Sequence, residues 1–268
     1  AQADKAKPEE VTIYYANWSE SVAMVNVLEI ALENVGIPVT TQMTSPEETF
    51  SALAKGKGDI MVEAWLPKTH KDYWNKYSDK LDKISPSFGE ASTGLVVPSY
   101  VDISSIDELN AHKDKFNGEI VGIGSGAGIH KSTEKAIKKY NLNFTQRTSS
   151  GPEMLQALNK AVKNKEWVVV TGWKPHHKWV QHDLKYLKDP KGVYSEETSY
   201  ILTRKGFTTE YPGFKTFLEN MYFDEILLYG LMLTLETSNK PTKEVVREWY
   251  KDRKTVIRAW MPVEWVKQ

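Results

Sequence analysis

Short apolar runs alternate with stretches of helical period along the first hundred residues. VTIYYA (Val11–Ala16) is rich in β-branched and aromatic residues and predicts a strand. Ser19 stands where a helix cap is expected. After it Val22, Val25, Leu28, Leu32 and Val35 share one helical face, and Gly36 ends the pattern. Pro38–Met43 alternates as a strand, Glu48–Ala54 suits a short helix, and KGKGD suits a turn. DIMVEAW (Asp59–Trp65) and TGLVVP (Thr93–Pro98) are apolar enough to be buried on both faces.

The pattern then restarts. Ser105 and Glu108 have the spacing of a capping box for a helix to about Lys113. GEIVGIG (Gly118–Gly124) predicts a strand running into a glycine-rich loop, and Ser132–Tyr140 a helix. Asn143–Thr148 is a weak strand. Pro152 opens a helix whose face carries Met154, Leu155, Leu158 and Val162. EWVVVTGW (Glu166–Trp173) is a third strongly apolar strand. From Phe214 the chain turns helical, and its last long helix is expected over Glu244–Trp260, after Pro241. Repeated strand–helix–strand alternation predicts an α/β protein of two lobes, each a mainly parallel sheet flanked by helices. Lobe I is expected over 11–97 plus 205–268, lobe II over 98–204, and residues 1–10 as a tail or linker.

Composition narrows the function. Lys plus Arg and Asp plus Glu are 35 each, so the chain lacks the net basic character that nucleic acid as main partner requires. No apolar run approaches the roughly 20 residues of a membrane span. There is no cysteine, which excludes thiolate catalysis, disulfides and Cys-based zinc sites. AQADKAKPEE lacks an apolar core and is not a signal peptide; it suits a tether.

The nine tryptophans change the picture through their placement. Ligands of open α/β sheets bind beyond the carboxyl ends of strands. Trp18, Trp65 and Trp173 each stand at such an end, while Trp74, Trp167, Trp179, Trp249, Trp260 and Trp265 share no placement. Rings at strand ends either plug the sheet or offer faces to a cation. The loop VGIGSGAGIHKST contains Gly122-x-Gly124-x-x-Ala127, close to a dinucleotide fingerprint. The acidic residue due about 20 positions later is missing. What survives is a set of backbone N–H groups at a helix start, suited to an anion, or simply a tight turn. His176, His177 and His182 cluster near Asp183 without the spacing of a metal site. His70 follows Trp65 closely enough to share its pocket. No nucleophile, Walker or zinc-protease motif occurs, and no catalytic residue is assigned.

EAWLPKTHKDYW, TGLVVPSYV with SIDEL, VGIGSGAGI, and VVVTGWKPHHKW followed by DLKYLKDPKGVY resemble the glycine betaine-binding proteins of osmoprotectant ABC importers, the OpuA type most closely. The likeness runs in order from about Val11 to Phe207 and is less specific in the helical tail. It implies a type II periplasmic-binding-protein-like fold. It also implies an aromatic prism for the ammonium at Trp18, Trp65 and Trp173. The ligand carboxylate would be held by the amides of Gly128 and Ile129 and by His70. Members often carry tryptophan where this chain has His177. No cofactor or metal is implied.

The resemblance further implies a permease with its ATPase subunit as partner. The place would be the outer face of the cytoplasmic membrane, with a lipid anchor or a fusion to the permease. Proline betaine and carnitine are further ligands it admits. Choline capture, an enzyme acting on a methylated amine with His70 as base, and a nucleotide-binding protein are the competing readings.

Overall fold

The computed structural model describes residues 7–125 and 127–266. Of the expected tail, residues 1–6 lie outside the described residues. Residues 7–10 are held in place: Lys7 donates to the Val35 carbonyl at 2.7 Å, Thr40 bonds Glu10, and Pro8 is buried.

β1 (Val11–Tyr15) buries Val11 and Ile13 completely. α1 (Ser19–Glu33) follows. Its buried positions from Ser21 to Leu32 surround most of the helix, so it is a core helix rather than a one-sided one, and Val22 and Val35 are only half-buried. Ser19 is not the expected cap. It is the first helical residue, and extended Trp18 (φ −112°, ψ 145°) takes the N-cap with no side-chain bond. Gly36 adopts φ +77°, the left-handed turn that ends a helix. β2 (Val39–Met43) leads to α2 (Pro46–Ala54), where the Ser45 hydroxyl accepts the Glu48 N–H. β3 (Ile60–Leu66) is buried throughout except at Trp65, and α3 (Lys71–Tyr77) comes next.

The strand expected over 93–98 is the end of a much longer one, β4 (Leu81–Pro98). Pro86 and Gly89 in its first half look like breaks in a sequence, yet both occur in strands where a ladder bond is not required. The Ser105–Glu108 capping box is present, but Ile106–Glu108 and Asn110–Phe116 wind as 3-10 helix, not α. β5 (Glu119–Val121) stops sooner than expected, and α4 (Gly128–Lys139) begins a turn earlier than Ser132. The glycine-rich segment therefore supplies the helix's first turn. β6 (Thr145–Arg147), α5 (Gly151–Lys163, with a Ser150–Glu153 capping box), β7 (Val170–Lys174) and α6 (Lys178–Gln181) continue the alternation. β8 (Leu184–Tyr186) and β9 (Glu196–Arg204) were not anticipated.

The rest is helical: α7 (Phe207–Glu210), α8 (Pro212–Asn220), α9 (Glu225–Thr237), α10 (Thr242–Lys251), α11 (Lys254–Arg258) and α12 (Val263–Val266). The long helix expected over 244–260 is thus broken. Arg253 leaves helical geometry (φ −125°), donates to the Trp249 carbonyl at 3.0 Å and packs its guanidinium 4.6 Å from the Trp249 ring.

Contacts divide the chain into two units: residues up to Glu90 with those from Glu197, and Ala91–Glu196. These divisions come earlier than 97/98 and 204/205: one falls inside β4 and the other at the start of β9. The first unit orders its strands β2-β1-β3-β9-β4, with β1 parallel to β2 and β3 and β9 antiparallel to β3. The second runs β4-β7-β5-β6 with β8 beside β4; β5 is parallel to β6 and β7, and β4 is antiparallel to β7 and β8. Parallel pairs are found where helices connect the strands. The antiparallel members close the edge of each parallel set. Gly172 in β7 is required by packing: a Cβ there would lie 2.3 Å from Val96 Cγ2.

Candidate functional site

In the first unit, Trp18, Trp65 and His70 come together. The Trp18 and His70 rings stack at 5.6 Å with planes 8° apart. Phe50 packs edge-on against His70 at 5.6 Å. His70 and Trp65 close their loop reciprocally: the Trp65 N–H donates to His70 Nδ1 at 2.8 Å and the His70 N–H to the Trp65 carbonyl at 2.9 Å. Glu197 holds the same loop, accepting the N–H groups of Lys68 and Thr69 and the Thr69 hydroxyl. A backbone donor aimed at Nδ1 makes that nitrogen the acceptor, so the ring proton sits on Nε2. Burial pushes the His70 pKa down to about 4, although Glu197 nearby opposes this. The imidazole is therefore neutral at pH 7 and offers one N–H donor.

The Trp65 indole N–H donates to Glu63 Oε1 at 2.6 Å, and Glu63 also accepts the Ser21 hydroxyl. Trp18, Ser21, Phe50, Glu63 and His70 line a cavity of about 10 Å³, space for one water at most. The aromatic faces are thus set on a filled base. Trp18 and Trp65 remain half-buried and His70 is almost fully covered.

In the second unit, Gly128 and Ile129 are the first two residues of α4, whose opening N–H groups a helix cannot satisfy from within. Ile129 is buried in an apolar cluster against which Trp173 also packs. Trp173 is half-buried and meets the His176 ring edge-on at 5.1 Å.

The histidine cluster is engaged in local structure. His176 Nδ1 accepts the Lys178 N–H, His177 Nδ1 bonds Gln181, and His182 Nε2 bonds Asn159. Burial drives the His176 pKa down to about 2. Among the described residues no group of His, Asp and Glu could hold a metal ion. No helix among them is long and apolar enough to cross a membrane.

Two elements escaped the sequence reading. One is the carboxyl pair of Glu63 and Glu20 behind Trp65. The only sequence sign of it is that Glu63 precedes Trp65 by two positions. The other is Lys178, fully buried, with its amine 4.7 Å from the Trp173 ring centre and no hydrogen-bond partner. Burial, then the charge of Lys174, lowers its pKa to about 7.

His70 gives a stability prediction. Between pH 6.5 and about 4 the unfolded chain takes up a proton at this ring that the folded chain refuses, so stability falls with pH across that window. At 1.36 kcal/mol per pH unit the loss reaches about 3 kcal/mol. The urea midpoint should drop as pH is lowered from 6.5 to 4, and less steeply in His70→Asn. Equal slopes would mean that the ring titrates alike in both states. The Glu20–Glu63 pair acts with the opposite sign, but it is common to both proteins.

The family described as the substrate-binding domain of ABC-type glycine betaine transport systems matches residues 9–252. A glycine betaine/carnitine transport binding protein, GbuC of Listeria monocytogenes, is 36% identical over 164 residues, covering 59% of this chain and 54% of that protein. The match thus spans about half the length of that relative. Among solved structures, lactococcal OpuAC in its closed, glycine betaine-bound conformation is 34% identical with a TM-score of 0.73, covering 95% of this chain and 100% of the other. The glycine betaine/L-proline-binding protein ProX of Borrelia burgdorferi is 30% identical with a TM-score of 0.72, covering 96% and 98%. The fold is accordingly α/β of the type II periplasmic-binding-protein class. With the family spanning nearly all of its length, the chain belongs to the substrate-binding domains of ABC-type glycine betaine transport systems.

Proposed function

We propose that this protein captures glycine betaine outside the cell for an ABC importer, handing it to a permease driven by an ATPase subunit, and that it does so as a binding protein without chemistry of its own. Trp18, Trp65 and Trp173 supply aromatic faces to the trimethylammonium group. The amides of Gly128 and Ile129 and the His70 Nε2–H meet the carboxylate. Attachment to the outer face of the cytoplasmic membrane, by lipid or by fusion to the permease, belongs to the same reading.

One observation carries it. Trp18 and Trp65 are held half-buried by a ring stack, a backbone bond and a carboxylate, beside a histidine kept neutral. A trimethylammonium group has no N–H to donate and cannot lose its charge. Electron-rich apolar faces therefore suit it better than a hydrogen-bonding partner, at about 0.5–2 kcal/mol per ring. Three rings with charge-assisted bonds to the carboxylate add up to about −8 kcal/mol, or micromolar binding.

Calorimetric titration with glycine betaine, proline betaine, carnitine and choline tests this. Glycine betaine should bind with micromolar Kd and be recovered at unchanged mass after incubation. No heat from any of the four would end the reading, and a mass change would favour an enzyme.

A further inference from the structure

Behind Trp65 the first unit buries charge that betaine capture, as proposed above, does not use. Glu63 is only 6% exposed, on β3. Its Oε1 takes the Trp65 indole N–H at 2.6 Å, and its Oε2 takes the hydroxyl of Ser21 from the first turn of α1. Glu20, beside Ser21, hydrogen-bonds the same carboxyl group. Among the described residues no lysine or arginine pairs with either glutamate. Burial raises the pKa of both, and the charge of Glu20 raises that of Glu63 further. Carboxyls this close share one proton and keep one negative charge between them.

Buried charge without a counter-ion costs stability, and an apolar replacement is often neutral or better. The arrangement therefore calls for a use, and the indole bond points to one. We infer that Glu63 is the positioning residue of Trp65, fixing the indole and, through the charge it shares with Glu20, strengthening that ring's attraction for an organic cation.

Three physical effects combine. A buried indole N–H needs an acceptor, and an acceptor fixed by Ser21 and Glu20 selects one orientation of the ring. Ordering the ring before the ligand arrives removes that cost from binding. A hydrogen bond to a carboxyl group that shares a negative charge pushes electron density into the indole and deepens its negative face, while the nearby charge attracts a cation directly. No proton moves and no bond is made or broken.

The inference rests on the betaine reading for its ligand only, and the test separates the two. Glu63→Gln keeps an oxygen acceptor for the indole and leaves the pair's charge on Glu20 alone; Glu63→Leu removes the acceptor as well. Each is titrated with glycine betaine, and the Trp65 indole proton resonance, assigned with Trp65→Phe, is recorded without ligand. Glu63→Leu should bind about tenfold more weakly and shift that resonance upfield, with Glu63→Gln at about threefold and a smaller shift. Should the leucine variant fail to fold, Glu63→Gln and Ser21→Ala decide. Folded variants that bind within about twofold of the parent, or an indole resonance that stays in place, overturn the inference. If the parent binds no betaine, the functional reading falls, and the resonance still tests the positioning role.

Discussion

Alanine at Trp65 or at Trp173 is expected to weaken glycine betaine binding at least about tenfold, since tenfold is 1.4 kcal/mol and one aromatic contact to a desolvated cation reaches about 2. The two losses differ in kind. Trp65→Ala takes away a ring whose N–H is tied to Glu63, leaving a buried carboxyl group short of a donor. Trp173→Ala uncovers the Lys178 amine, which sits 4.7 Å from the ring and has no hydrogen bond to fall back on. The second variant should therefore also lose stability, and thermal melts must accompany its titration. Phenylalanine at Trp65 keeps a smaller face and no N–H, so its affinity should lie between alanine and the parent. Trp74 is the control: half-buried, it packs on the apolar cluster of Phe50, Leu53 and Met61, with Lys83 over its ring at 5.9 Å. If folded Trp74→Ala loses more affinity than folded Trp65→Ala, the assignment of the aromatic faces is wrong.

The parts of the fold that local pattern controls were legible in the sequence. β1, α2 and α5 form where periodicity and caps place them, because each carries apolar residues at its element's spacing and the two helices are capped by Ser45 and Ser150. What failed depended on distant partners. β9 is set by its antiparallel register with β3, and the first half of β4, crossed by Pro86 and Gly89, has no alternation to announce it. The break between α10 and α11 comes from Arg253 turning back onto Trp249, a contact that helical propensity does not encode.

The candidate site divides in the same way. Trp18 and Trp65 could be grouped because each stands at a strand end, and His70 because it follows Trp65 by five positions; the structure does bring His70 against both within the first unit. Glu63, Ser21 and Glu197 could not. They look like ordinary strand and helix residues until a fold carries Glu197 to the Thr69 amide, 128 positions away. Lys178 resembles any solvated lysine in KPHHKW, and only the packing of α6 shows it buried.

Choline should bind at least about tenfold more weakly than betaine. Both carry the trimethylammonium group, but choline would leave the donors meant for a carboxylate unpaired, at about 1–3 kcal/mol for an unsatisfied buried donor. His70 tests this donor role, and its geometry dictates the variant. Nδ1 is committed to the Trp65 N–H, while Nε2–H is the proton left for a ligand. Asparagine reaches the position of Nδ1 with its side-chain oxygen but offers nothing at Nε2. His70→Asn should therefore keep the loop, weaken betaine, leave choline nearly unchanged and so narrow the gap between them. His70→Ala removes the loop bond and the stack on Trp18 as well, and should weaken both ligands. If His70 only packs the loop, both variants will weaken betaine and choline by the same factor, and the gap will survive. Paired titrations of the two ligands against the parent and both variants distinguish these outcomes. Equal affinity of the parent for choline and betaine would remove the carboxylate site from the proposal altogether, leaving only the aromatic faces.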